Sequence, residues 1–215
     1  MATTSPERTA KVILEPIDLH DAAQFQELLQ QRILCGWHDK PQFIESWRNE
    51  VDAGTRAIFW VIPQKLTHFD DHERWGGHIA MLNQTSPPDD ELARPDKSIL
   101  NISSLFIKPT YRGGGIGRAA VEELEAWART EPYGSPSCRF ITIHTLNRRY
   151  IEDDGEEWRG IWKKMGEEPP KKGTGNEDWY LRMGYMKWKE EPKYLEKLND
   201  GSEVLLLASF LRKGL

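Results

Sequence analysis

Leu105-Phe106-Ile107-Lys108-Pro109-Thr110-Tyr111-Arg112-Gly113-Gly114-Gly115-Ile116-Gly117-Arg118 is the stretch on which the reading of this 215-residue chain turns. An apolar strand enters a glycine-rich turn, and a helix pattern over Ala119 to Arg129 leaves it. The first N–H groups of a helix have no partner within the helix, and its dipole adds partial positive charge at that end. Glycines let such a backbone approach a ligand closely, and the arrangement suits a pyrophosphate. The plain alternative is a flexible turn that binds nothing. Against it, so many glycines cost conformational entropy that an ordinary turn need not incur.

The type of phosphate ligand is narrowed by what surrounds the glycines. Arg118-Ala119 stand where a nucleotide P-loop needs Lys-Ser/Thr. Gly115-Ile116-Gly117-Arg118-Ala119-Ala120 fits the relaxed dinucleotide fingerprint G-x-G-x-x-A. That fingerprint normally follows the first strand of a βαβ unit, with an acid about 20 positions on. Here at least three strand patterns come first, and the next strand, Phe140 to Thr145, holds no acid.

Working outward, Met1 to Ala10 is polar and reads as a disordered leader, not a secretory signal. Val12-Ile13-Leu14 is a short strand. Asp18 and Asp21 form a capping-box-like start to a helix carrying Ala22, Phe25, Leu28 and Leu29. A second helix fits Pro41 to Val51, ended by Gly54. Ala57 to Ile62 and Gly77 to Leu82 form an antiparallel pair around the polar run Thr67 to Arg74. Ile99 to Ile107 is the clearest strand. Residues 147–175 read as an insertion, in which Trp158, Ile161, Trp162 and Met165 fall at helical spacing. A short helix over Trp179 to Met183 ends at Gly184. Tyr185 to Trp188 and Val204 to Phe210 are closing strands, with a helical excursion expected between Pro192 and Asp200.

Composition sets outer limits. Charged residues make up 29%, hydrophobic ones 38%, and net charge is −5. An acidic balance argues against a phosphate-backbone binder and suits a cationic acceptor. No run reaches the ~20 apolar residues of a membrane span. Cys35 and Cys138 give no disulfide framework, so a cytoplasmic, reducing setting is expected. His68-Phe69-Asp70-Asp71-His72 carries metal-capable side chains, but without a second cluster it reads as a solvated loop, and no metal is expected.

Two motifs together resemble the GNAT acetyltransferase superfamily. Arg112-Gly113-Gly114-Gly115-Ile116-Gly117 fits the family's Arg/Gln-x-x-Gly-x-Gly/Ala loop at every position, and Tyr180-Leu181-Arg182-Met183-Gly184-Tyr185 fits its Tyr-x-x-x-Gly-Phe/Tyr motif. Leu14-Glu15-Pro16 with Asp21-Ala22 is similar to the family's first strand and helix. The resemblance covers roughly residues 11–146 and 176–211. It implies a mixed α/β fold: one GNAT-type domain over 11–215, with a mainly antiparallel seven-stranded sheet and helices on both faces. It also implies acetyl-CoA as cosubstrate, in a cleft where the fourth and fifth strands splay, and direct attack by a primary amine of a small molecule or a protein.

Carried over residue by residue, the resemblance assigns backbone contacts with pantetheine to Leu105, Phe106 and Ile107. It assigns the pyrophosphate to Arg112, Gly113, Gly114, Gly115, Ile116, Gly117 and Arg118, and the general acid to Tyr180; a packing tyrosine is the alternative. The base has no clear bearer. Asn101 stands where some members carry a carboxylate, and an amide cannot accept the proton. Water, Ser103 or His144 remain, with an ordinary hydrogen-bonded role favoured for His144. The family's Asn seven residues before the tyrosine is replaced by Gly173; Asn147 lies before the insertion and Asn176 comes too late. Trp158 and Trp162 are read as packing, with the cover of an apolar acceptor as the alternative. Two other functions stay open at this point: an NAD(P)-dependent oxidoreductase, and a non-catalytic acyl-CoA-binding module.

Overall fold

The computed structural model describes residues 10–64 and 74–215. The leader up to residue 9 and the His68 to His72 cluster lie outside the described residues. The chain divides into two compact units, one up to Arg139 together with Leu215, the other Phe140–Gly214.

The first unit holds an antiparallel sheet in the order β1-β2-β3-β4: β1 (Val12–Pro16), β2 (Arg56–Pro63), β3 (Gly77–Leu82) and β4 (Ile99–Ile107). Three longer helices accompany it: α1 (Ala22–Cys35), α2 (Pro41–Asp52) and α3 (Ile116–Trp127). Asp21, and not Asp18, caps α1. Its side chain accepts from the Gln24 N–H at 2.9 Å, while Asp18 lies outside the helix and accepts from the His20 N–H. The helix runs to Cys35, where Gly36 at φ 77° takes the left-handed conformation that closes it.

β2 is apolar on both faces, and each face has a cover. Ile58 and Trp60 pack with Leu28, Leu29, Ile44 and Trp47 of α1 and α2, and Trp60 stacks on Trp75 at 4.5 Å. Phe59 meets Trp127 and Tyr133 edge-on, at 5.1 and 4.8 Å. Burying each such side chain contributes roughly 1.5–3 kcal/mol, so this two-sided sandwich is the main source of the unit's stability. β3 and β4 approach so closely that a Cβ on Gly77 would lie 2.1 Å from the Phe106 carbonyl oxygen.

A buried polar network crosses this core. Arg32 donates to the Trp37 carbonyl at 2.8 Å and lies 3.4 Å from Nε2 of the fully buried His78; Nδ1 of that histidine is 2.8 Å from Gln31 Oε1. A guanidinium only donates, so Nε2 must accept and Nδ1 carries the proton. Burial, then the charges of Arg32 and Arg56, hold the imidazole well below its ordinary value. His78 is therefore neutral when folded, whereas in the unfolded chain it takes a proton below about pH 6.5. Stability should fall as pH drops through about 6.5, by up to about 1.4 kcal/mol per pH unit from this group. Urea unfolding of His78→Gln at a series of pH values should show a shallower acid limb above the carboxylate range. An unchanged limb would contradict the assignment.

The second unit is an antiparallel sheet in the order β5-β7-β6: β5 (Phe140–Leu146), β6 (Met186–Lys197) and β7 (Glu203–Gly214). The helical excursion expected between Pro192 and Asp200 is not there. β6 continues to Lys197 and turns at Gly201, φ 85°. β6 is hydrogen-bonded on one side only, to β7, and Pro192 sits beside a register shift; a strand edge with a bulge tolerates the missing N–H. Two short helices, α4 (Arg149–Glu152) and α5 (Gly160–Met165), fill the insertion, and α6 (Asn176–Arg182) follows. Tyr150, Ile161 and Leu206 are buried there, with Trp158, Trp162, Met165, Tyr194 and Val204 against them. Trp162 Nε1 donates to the Tyr150 carbonyl at 2.7 Å, and the Tyr150 hydroxyl accepts from the Leu207 N–H at 3.1 Å. Trp158 lies in the turn ahead of α5. The tryptophan stripe thus packs the insertion onto the β6–β7 hairpin, in keeping with the packing reading.

Candidate active site

β4 carries a bulge just ahead of the glycine turn. His78 pairs with Phe106 and Ala80 with Ser103, so Ser104 and Leu105 face the single residue Ile79, and Ser104 takes φ 56°. A bulge interrupts the regular ladder and leaves strand backbone groups for other partners. Leu105, Phe106 and Ile107 complete the strand; the Phe106 side chain is buried, so what it can offer a ligand is backbone.

After a 3₁₀ turn over Pro109–Tyr111 the chain extends at Arg112, whose Nε donates to the Ile107 carbonyl at 2.9 Å. Gly113 and Gly115 take φ 85° and 80°, and α3 begins at Ile116. Among the described residues a Cβ on Gly113 or Gly114 would meet nothing within 4 Å, and one on Gly115 would meet Ala10 Cβ at 3.6 Å. These glycines are therefore not required by protein packing. Two satisfy left-handed backbone, and the space before all three is open. Gly115 caps α3 without a side-chain hydrogen bond, and the Ala119 N–H closes onto the Gly115 carbonyl at 3.0 Å. The N–H groups of Ile116 and Gly117 precede that bond and have no acceptor inside the helix. Arg118 Nε is drawn to Glu122 at 2.8 Å, so its guanidinium is turned along the helix. Lys108 and Glu27, both largely buried, pair at 2.6 Å and tie the end of β4 to α1.

The other sequence-marked residues fall as follows. Asn101 is buried on β4 opposite Leu82, and Ser103 Oγ lies 3.1 Å from Ser104 Oγ. In the second unit His144 Nδ1 is 2.8 Å from the Tyr194 hydroxyl; burial holds that phenol well above its ordinary value and hence protonated. His144 thus has a side-chain hydrogen-bond partner in the second unit. Gly173, seven residues before Tyr180, lies outside α6. Asn147 follows β5 directly; it is buried, and its N–H donates to the Leu207 carbonyl at 3.0 Å.

Tyr180 is 4% exposed, on the last turns of α6. Its ring meets Trp179 and Tyr185 edge-on at 4.7 and 5.3 Å. Its carbonyl accepts from the N–H groups of Met183 and Tyr185, and Gly184 at φ 88° makes that return possible. The Tyr-x-x-x-Gly-Tyr spacing is thus the spacing of a closed helix end with two facing tyrosines. Sequence reasoning missed the Ser104 bulge, which leaves no compositional mark. It also missed Glu177, which reads as a solvated first-turn acid yet is fully buried. Among the described residues no group of three or more His, Cys, Asp or Glu could hold a metal, and no helix is long and apolar enough to cross a membrane.

Residues 23–152 match the acetyltransferase (GNAT) family, and the chain belongs to it. Comparison with curated proteins returns no significant match. Solved structures agree with the family in fold. NAA60 of Arabidopsis thaliana in complex with acetyl-CoA is 17% identical, with a TM-score of 0.59 over 95% of this chain and 99% of its own. An aminoglycoside 6'-N-acetyltransferase complexed with coenzyme A is 13% identical, with a TM-score of 0.57 over 94% and 96%. RimL, a ribosomal L7/L12 alpha-N-protein acetyltransferase, is 12% identical, with a TM-score of 0.55 over 97% and 96%. The fold is mixed α/β with seven strands, mainly antiparallel, as expected. Family membership accounts for the glycines of residues 113–117 without a dinucleotide.

Proposed function

We propose that this protein transfers an acetyl group from acetyl-CoA to a primary amine by direct attack, without an acyl-enzyme. The observation that carries the reading is the turn at the start of α3: left-handed Gly113 and Gly115, open space before three glycines, and helix-start N–H groups with no intrahelical acceptor. That is a cradle for the pyrophosphate of CoA, held by Arg112 to Arg118 chiefly through backbone donors. Leu105, Phe106 and Ile107 offer strand backbone to the amide-bearing pantetheine arm, as one strand offers another. Similar solved folds bind acetyl-CoA or CoA and, by their names, acetylate aminoglycosides and a protein N-terminus; amine acceptors are common to them.

In the reaction the amine lone pair attacks the thioester carbonyl carbon, a C–N bond forms and the C–S bond breaks. The departing thiolate takes a proton from the Tyr180 phenol, and the proton lost by the amine passes to solvent and restores the phenol. The acidic balance of the chain, −5, favours a cationic acceptor in its approach. Cys35 and Cys138 are both free thiols, which suits a reducing, cytoplasmic setting.

A thiol-release assay with acetyl-CoA and a panel of amines tests this reading: polyamine, amino sugar, lysine, and peptides with free N-termini. Release that depends on one amine class, with the acetyl group found on its nitrogen, is the expected result. Thiol release indifferent to every amine would leave a binder of acyl-CoA and no N-acetyltransferase.

A further inference from the structure

Glu177 is an acidic side chain in the second unit with almost no exposure: the side chain is 1% exposed. Its Oε2 accepts from Ser209 Oγ on β7 at 2.6 Å and from the Arg148 N–H at 2.8 Å. The Lys187 ammonium of β6 lies 3.0 Å from Oε1. Burial works against the charge on Lys187, but the neighbouring carboxylates of Glu190 and Glu177 outweigh this and raise its pKa. One carboxylate thus ties three separate pieces of chain to the first turn of α6. Beside it Asp178 pairs with the Arg148 guanidinium at 2.9 Å, a second tie to the same segment.

α6 needs such ties. It has seven residues, and Gly175 at its start provides no side-chain cap. A helix that short is not stable alone, so its place is set by what holds its ends. The Gly184 turn holds the C-terminal end and Glu177 the N-terminal end. Tyr180 lies three residues after Glu177, one helical turn on.

We infer that Glu177 is a positioning residue: by anchoring the first turn of α6 to Ser209, Lys187 and the Arg148 backbone, it fixes where the Tyr180 hydroxyl is presented. This rests on the proposed role of Tyr180 as the acid. A proton donor must sit within hydrogen-bond reach of its acceptor, and displacement by about 1 Å costs up to about 100-fold in rate.

The test is a double-mutant cycle on turnover with Glu177→Gln and Tyr180→Phe, in folded protein, with CoA affinity measured in parallel. Glu177→Gln keeps the shape and removes the charge. It should lower turnover about 10-fold, with CoA affinity and the acceptor Michaelis constant changed far less. In the Tyr180→Phe background the same substitution should cost almost nothing, because no hydroxyl is left to misplace. A Glu177→Gln loss of the same size in both backgrounds, or no loss at all, would overturn the inference while leaving Tyr180 as the acid. Wild-type turnover in Tyr180→Phe alone would remove the acid, and the positioning role with it. If Glu177→Gln does not fold, Ser209→Ala takes its place. It deletes one hydrogen bond to the carboxylate, and a roughly 3-fold loss confined to the Tyr180 background is then expected.

Discussion

Tyr180→Phe lowers turnover by about 100-fold and leaves CoA affinity nearly unchanged, if the phenol protonates the departing thiolate. General acid catalysis contributes typically ~10²- to 10⁴-fold, and the low end applies because water can supply a proton in part. A phenol near pKa 10 gives up its proton to a thiolate near 8.5 only from a fixed position. That position is supplied by the Gly184 turn, by the ring contacts with Trp179 and Tyr185, and by the anchored start of α6. The substitution keeps the ring and so keeps those contacts. The acceptor Michaelis constant moves less than turnover, because the lost interaction belongs to the transition state. Single-turnover kinetics, in which product release plays no part, make the measurement. Wild-type rates in that experiment would reduce Tyr180 to a packing residue.

Gly115→Val weakens acetyl-CoA binding by at least about 10-fold, equivalent to about 1.4 kcal/mol. Among the described residues the Cβ itself finds room, with Ala10 Cβ at 3.6 Å, an ordinary contact. The loss has two other sources. Gly115 sits at φ 80°, which costs an L-residue roughly 1–2 kcal/mol and is worst for a β-branched one. The backbone relaxes away from that angle and takes the Ile116 and Gly117 N–H groups with it. The valine methyls also occupy the open space from which a pyrophosphate would meet those donors. The reading in thermal denaturation is a lower melting temperature without ligand and a sharply reduced shift on adding CoA. Gly115→Ala has a smaller φ cost and less bulk, and falls between. A full CoA shift in Gly115→Val would show that the turn is not the phosphate cradle.

Much of this was legible in the residues. The Arg112 to Gly117 run could be read as a glycine turn between a strand and a helix because apolar and helical patterns flank it directly, and the structure has β4 before it and α3 after it. Strand β2 was legible because both its faces are apolar. Other features were hidden for physical reasons. Pro192 to Asp200 was read as a helical excursion after a strand over Tyr185 to Trp188, whereas Pro192 lies within β6, at the sheet edge and beside a register shift, where proline is tolerated. The Ser104 bulge depends on a register slip against Ile79, which only the pairing reveals. Nothing in the sequence singles out Glu177, because its partners, Arg148, Lys187 and Ser209, lie 29, 10 and 32 positions away. Tertiary contact alone makes that carboxylate a buried anchor.

If the turn between β4 and α3 holds CoA, calorimetric titration reads the binding without recourse to catalysis. Acetyl-CoA, CoA, NAD and NADP are each titrated into the wild-type protein and into Gly115→Val. Saturable heat is expected with acetyl-CoA and CoA, none with NAD or NADP, and a strongly weakened binding isotherm in the variant. Binding of NAD or NADP in the absence of any CoA signal at millimolar ligand would contradict it.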